Sequence, residues 1–199
     1  MTGRESKAGF PGTATVEKTS QTHPLKIAAI ATPGGGSIGM TLCPGKRQPN
    51  AVTGPWNRNL EADMEVIKNF RTNTLITLME TFELAEANVP KEAMNTAANK
   101  RRINWLHLPI ADFGVPDSSF EETWGKDGNA IRRSLEDGGC VVVHCRGGRG
   151  RAGLMAARIL VEMGVNPYTA IDTVRAANPL AIETIAQENH IKQCRRVAG

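Results

Sequence analysis

Short apolar runs alternate with amphipathic stretches along this chain, regularly enough to predict an order of elements. The strongest run is Val141, Val142 and Val143, three β-branched residues with no polar break, the pattern of a strand buried on both faces. Residues 26–31 (KIAAIA), 75–79 and 103–110 (INWLHLPI) also read as strands. Between them the spacing turns helical. Leu60, Met64, Ile67 and Phe70 share one face behind Asn59 as N-cap, and further helical segments fall at 83–87 and at 90–100, the latter opened by Pro90. Phe120, Trp124, Ile131 and Leu135 mark the next helix, with Ser118 and Ser119 each followed three residues later by a glutamate in a capping-box pattern. From Arg151 onward AGLMAARILVEM favours helix until Gly164. Asn166-Pro167 opens another carrying Tyr168, Ile171 and Val174, and Thr184 with Gln187 caps the last.

Strand followed by helix, repeated, predicts an α/β domain: a central, mostly parallel sheet with helices on both faces. Residues 1–24 are polar and aperiodic and read as a flexible N-terminal tail, leaving 25–199 as a single domain. One stretch imitates a known motif. Residues 34–39 spell GGGSIG, the letters of the dinucleotide fingerprint, but that motif must open a helix and here Pro44-Gly45 follows within a few residues. A glycine turn between two strands is the expectation.

Composition narrows the function classes. A net charge of +4 in 199 residues, with no basic run and few aromatics, predicts no nucleic-acid partner and only weakly favours anionic substrates. The four cysteines have no metal-ligand or secretory spacing, so no metal site is expected. No apolar stretch is longer than a strand, and neither a signal peptide nor an integral membrane segment is visible; a reducing cytoplasmic compartment is the default expectation.

The chemistry concentrates in residues 139–153, GCVVVHCRGGRGRAG. His144 and Cys145 end the strand; Arg146, Gly147, Gly148, Arg149 and Gly150 form a loop; Arg151 begins the helix. Glycines allow successive N–H groups to turn into one concavity at a helix N-terminus, a nest for phosphate oxygens that Arg151 can close with a bidentate fork. The same positive field favours thiolate over thiol, which places a nucleophile at the floor of a phosphate cradle. His-Cys, five residues, then Arg resembles the signature of the cysteine-dependent phosphatases, and implies their three-layer fold, a cysteinyl-phosphate intermediate and no metal or organic cofactor.

A poor leaving group needs a proton, and a positioned carboxylic acid adds about 10²–10⁴ in rate. The loop after Ile110, ADFGVPD, offers Asp112 and Asp117, and spacing alone does not choose between them. LPIADFGVPD resembles the acid loop of the kinase-associated phosphatase branch of dual-specificity phosphatases, which implies Asp112 as the acid and leaves Asp117 on the cap side of the next helix. The resemblance extends from about Leu42 through LCPGK, HCRGGRGR and AIETIAQ. It implies that His144 braces the loop and that Gln187 places the hydrolytic water; the residues alone equally support a satisfied core histidine and a capping partner of Thr184. Cys43 reads as a redox partner of Cys145 or as core filler, the latter favoured.

Two departures from the family pattern stand out. Ala152 occupies a position where many members carry a hydroxyl that assists departure of the cysteine, which implies slow breakdown of the phosphoenzyme. Arg149 replaces a commonly apolar residue, and with Arg146 it resembles the doubly basic loop of lipid phosphatases acting on phosphoinositides. Three readings therefore compete. A phosphatase of phosphotyrosine, and of phosphoserine or phosphothreonine, in proteins or peptides is favoured over a phosphoinositide or inositol-phosphate phosphatase, and over a catalytically weak phosphate-binding module.

Overall fold

The computed structural model describes residues 16–197. Its main sheet has five strands: β2 (Ala28–Ala31), β3 (Ser37–Leu42), β6 (Thr74–Thr77), β7 (Asn104–His107) and β8 (Cys140–Cys145). Their spatial order is β2-β3-β8-β6-β7, with β2 antiparallel to β3 and every other pairing parallel. The glycine stretch is the turn of the β2–β3 hairpin, with Gly35 in the left-handed region at φ +86° and Thr32 N–H bonded to the Gly36 carbonyl. The dinucleotide letters are accounted for by that turn.

The central β8 strand is covered on both faces. Val141, Val143 and Cys145 pack into a core with α4 (Ser118–Glu136), α5 (Gly150–Glu162), α6 (Pro167–Ala177) and α7 (Ile185–Gln193). Cys140 and Val142 face α1 (Leu60–Asn69), α2 (Thr81–Glu86) and α3 (Lys91–Lys100). The period of two along β8 thus sends Cys145 and His144 to opposite sides. Every residue of α5 is buried, because it lies against the sheet and under α4, α6 and α7.

Three local expectations change. The serine caps expected for α4 give way to Asp117, the residue the resemblance left on the cap side: its carboxylate accepts the Phe120 N–H at 2.8 Å, and Ser118 already lies in the first turn. The strand expected over 103–110 is only Asn104–His107; Leu108 and Ile110 continue alongside as N–H donors to Thr77 and Leu78 carbonyls.

The region expected as tail is built into the fold in part. Within it β1 (Lys18–Thr19) pairs in parallel with β5 (Trp56–Asn57), which pairs with β4 (Arg47–Gln48) in a small second sheet; the expected tail over 1–15 lies outside the described residues. Two-residue strands leave no periodicity to read. They are held instead by a buried ion pair: Arg58 binds both oxygens of Asp63 at 2.7 and 2.8 Å and donates to the His23 carbonyl at 2.7 Å. Among the described residues no helix is long and apolar enough to cross a membrane.

Candidate active site

β8 ends at Cys145 and α5 begins at Gly150, so the intervening loop is folded onto a helix N-terminus at the carboxyl end of the sheet. Cys145 is 3% exposed. Gly148 is required twice. Its φ is +70°, and a Cβ there would stand 2.5 Å from the Thr41 carbonyl carbon in β3. Its carbonyl is tied to the end of α6 by the Asn178 amide at 3.0 Å. Gly147, by contrast, is exposed with nothing near its missing Cβ.

Arg151 is 2% exposed and its guanidinium is held on several sides. Glu83 accepts from Nη1 at 2.5 Å and from Nη2 at 3.0 Å, the Ile110 carbonyl accepts from Nη1 at 3.0 Å, and Asp112 Oδ1 lies 2.9 Å from Nη2. Glu83 also accepts the Glu80 N–H at 2.9 Å, completing a capping box at the start of α2. Burial alone would push the Glu83 carboxyl up; the Arg151 and Glu80 bonds outweigh it and hold the carboxyl below its ordinary value. Burial likewise opposes the charge on Arg151, and the Glu83 bond reverses the balance.

The two aspartates of the acid loop are separated by what they bind. Asp117 is committed to its cap, whereas Asp112 is about half exposed beside Arg151. Phe113 follows in the left-handed region at φ +58°, unfavourable for a residue with a Cβ, and the loop is held there from α7. Thr184 Oγ1 donates to the Phe113 carbonyl at 3.3 Å and Gln187 Nε2 to the Gly114 carbonyl at 3.2 Å. Gln187 is fully buried; its Oε1 accepts the Glu183 N–H at 2.9 Å, while its own N–H is capped by Thr184 at 3.1 Å. Its side chain therefore braces the acid loop and the segment before α7.

His144 is fully buried on the opposite face from Cys145, with Nε2 at 2.7 Å from Thr77 Oγ1. Trp105 Nε1 donates to the same hydroxyl at 2.8 Å. An indole can only donate, so the Thr77 hydroxyl accepts from Trp105 while it also bonds His144 Nε2. Burial pushes the pKa of His144 down to about 3, so the ring is neutral at pH 7. It ties β8 to β6 and β7 below the loop. Cys43 packs in the α1–α3 core with its thiol pushed up to about 12 by burial, which fits core filler.

The loop arginines divide. Arg146 turns onto α2, 2.7 Å from Glu86 and 3.3 Å from Glu83, so its charge is largely matched. Arg149 is half-buried at a cavity of about 420 Å³ over the loop, with no ion pair among the described residues. The same cavity holds Asp112, Phe113, Lys46 and Glu183. Glu183 accepts the Gly150 N–H at 2.8 Å, a carboxylate already on one of the helix-end donors. Glu83, Glu183 and Lys46 were not singled out by sequence. The available signals were the Glu80–Glu83 capping pair directly after a strand and a charged residue within each of LCPGK and AIETIAQ.

A nucleophile-bearing loop of this form on a three-layer α/β fold defines the cysteine-dependent phosphatases, and the chain belongs to their dual-specificity family. Residues 49–191 match the family model described as PTP-SAK, Swiss Army Knife protein, DSP-PTPase phosphatase domain. Cyclin-dependent kinase inhibitor 3 from Homo sapiens is 30% identical over 142 residues, covering 69% of this chain; the chain spans 64% of the length of that relative. A crystal structure of kinase-associated phosphatase with serine replacing its catalytic-site cysteine superposes with TM-score 0.71 at 25% identity, covering 84% of this chain and 92% of the other. PTPMT1 in complex with PI(5)P shares the fold at TM-score 0.57 and 20% identity, over 78% of this chain and 88% of that one.

Proposed function

We propose that this protein hydrolyses phosphotyrosine, and phosphoserine or phosphothreonine, in proteins through a cysteinyl-phosphate. The observation that carries the reading is Cys145 beneath a loop whose closing arginine, Arg151, is aimed by Glu83 at the position of Asp112. The Cys145 thiolate attacks phosphorus, forming the S–P bond as the ester P–O bond breaks. Asp112, protonated, delivers its proton to the leaving oxygen. Loop N–H groups and Arg151 hold the equatorial oxygens, and the incoming phosphate replaces Asp112 on Nη2, freeing the acid for the leaving group. Water then attacks phosphorus while the Asp112 carboxylate takes its proton; the S–P bond breaks and the thiolate returns. This chemistry uses no metal or organic cofactor. Ala152 supplies no hydroxyl to that second step, which makes it the slower one. Four free cysteines suit a cytoplasmic location.

A phosphoinositide reading is supported by Arg149, unpaired among the described residues, and by the PI(5)P-bound relative in fold; the engagement of Arg146 with Glu83 and Glu86 weakens it. The test is turnover of an aryl phosphate, a phosphotyrosine peptide and an inositol phosphate. Cys145→Ser should abolish all turnover, and Asp112→Asn should slow poor leaving groups by about 10²–10⁴ while sparing activated ones. Turnover that survives Cys145→Ser refutes the mechanism, and an equal loss on both ester types removes Asp112 from the acid role.

A further inference from the structure

Lys46 stands out among the cations around the loop. It is only 6% exposed, it lines the cavity over the loop, and among the described residues its ammonium has no hydrogen-bond or ion-pair partner. Its nearest company is the face of Trp56, 5.3 Å from the ring centroid, which it shares with Lys18 at 5.0 Å. Burial, opposed by the neighbouring Cys43 and Cys145 and helped by Arg146 and Arg149, holds the lysine below its ordinary pKa.

The position of Lys46 is fixed from below. Asp63, clamped by Arg58, accepts the N–H of Gly45 at 2.8 Å, and Gly45 sits at φ +72° with a would-be Cβ 2.7 Å from Leu60. The Lys46 carbonyl accepts the Arg58 N–H at 3.1 Å. The stem of Lys46 is packed away while its ammonium opens into the cavity over the loop without a counter-ion among the described residues, where an anion brought by a ligand would pair with it. The carboxylates at this cavity are already engaged, Asp112 by Arg151 and Glu183 by the Gly150 N–H.

We propose that Lys46, with Arg149, forms a subsite for an acidic side chain flanking the phosphorylated residue of a peptide substrate. This rests on the phosphatase reading above. The shape of the cleft favours a peptide over a compact ring. The cavity of about 420 Å³ adjoins a second of about 650 Å³, the two sharing Leu42, Trp56 and Gly147 in their linings. A compact phosphorylated ring would need only the first space, whereas an extended chain is long enough to reach residues of both.

The experiment compares a phosphotyrosine peptide flanked by Asp and Glu with its Asn/Gln isostere. Binding is read by fluorescence anisotropy on Cys145→Ser protein, and turnover on protein with Cys145 intact, both at low salt. The acidic peptide should be preferred by about tenfold. Lys46→Met should reduce that ratio to under about twofold and Lys46→Arg should keep most of it. Because Met keeps the packed stem and removes an ammonium that has no partner among the described residues, Lys46→Met should melt no lower than the parent protein; a purely structural lysine would give the opposite. A ratio unmoved by Lys46→Met, or equal losses on both peptides, overturns the proposal. Tighter Lys46-dependent binding of inositol bisphosphate than of the acidic peptide also overturns it. Lys46-dependent preference without turnover would leave the subsite standing and refute the hydrolase reading.

Discussion

Replacing Glu83 by glutamine tests whether the site depends on one buried fork. Both Glu83 and Arg151 are nearly inaccessible, with side chains 1% and 2% exposed, and the carboxylate accepts from both Arg151 nitrogens. Glutamine keeps the shape, but its NH₂ faces a guanidinium N–H, so one of the two bonds becomes donor against donor and the charge on Arg151 loses its buried partner. Removing one member of such a pair costs about 3–5 kcal/mol. For a chain of 199 residues that is a fall in melting temperature of about 6–20 °C. Arg151 would also lose its aim, and a displacement of about 1 Å costs about 10² in kcat/KM. The control is Glu86→Gln, at a carboxylate 57% exposed and, among the described residues, paired only with Arg146, where the loss should stay below about 1 kcal/mol. Thermal melts and aryl-phosphate kinetics on both variants decide it. If Glu83→Gln melts within about 2 °C of the parent, or no lower than Glu86→Gln, the fork does not hold the site.

Two further outcomes follow from the geometry. Gly148→Ala should lower both stability and phosphate affinity, since its φ of +70° and a 2.5 Å approach to Thr41 act together; Gly147→Ala, with open space around it, should do neither, and melts with inorganic phosphate will compare them. His144, neutral when buried with a pKa near 3 against 6.5 when free, contributes stability that is complete above about pH 6.5 and is lost as pH falls toward 3. Urea titrations across that range should show a slope of about 1.4 kcal/mol per pH unit in excess of His144→Gln; parallel curves would refute it.

What the sequence determined lies in local patterns. The β-branched run, the glycine-rich turn and the helix after Arg151 are each written within a few residues, because strand periodicity, positive φ and helix propensity are nearest-neighbour properties. The Asn59 cap and the Pro167 start were legible for the same reason. Tertiary structure alone decided which charges meet. Glu83 is 68 residues from Arg151, and no local pattern announces their pairing. Arg146 looks like a substrate-facing cation until α2 brings Glu83 and Glu86 against it. By spacing Asp112 and Asp117 are equivalent until Asp117 accepts the Phe120 N–H and Asp112 meets a guanidinium. Lys46 becomes informative only when the fold packs its stem beside the loop with no counter-ion for its ammonium among the described residues. Electrostatic partnership depends on distance in space and on exclusion of water, and both exist only after the chain has closed on itself.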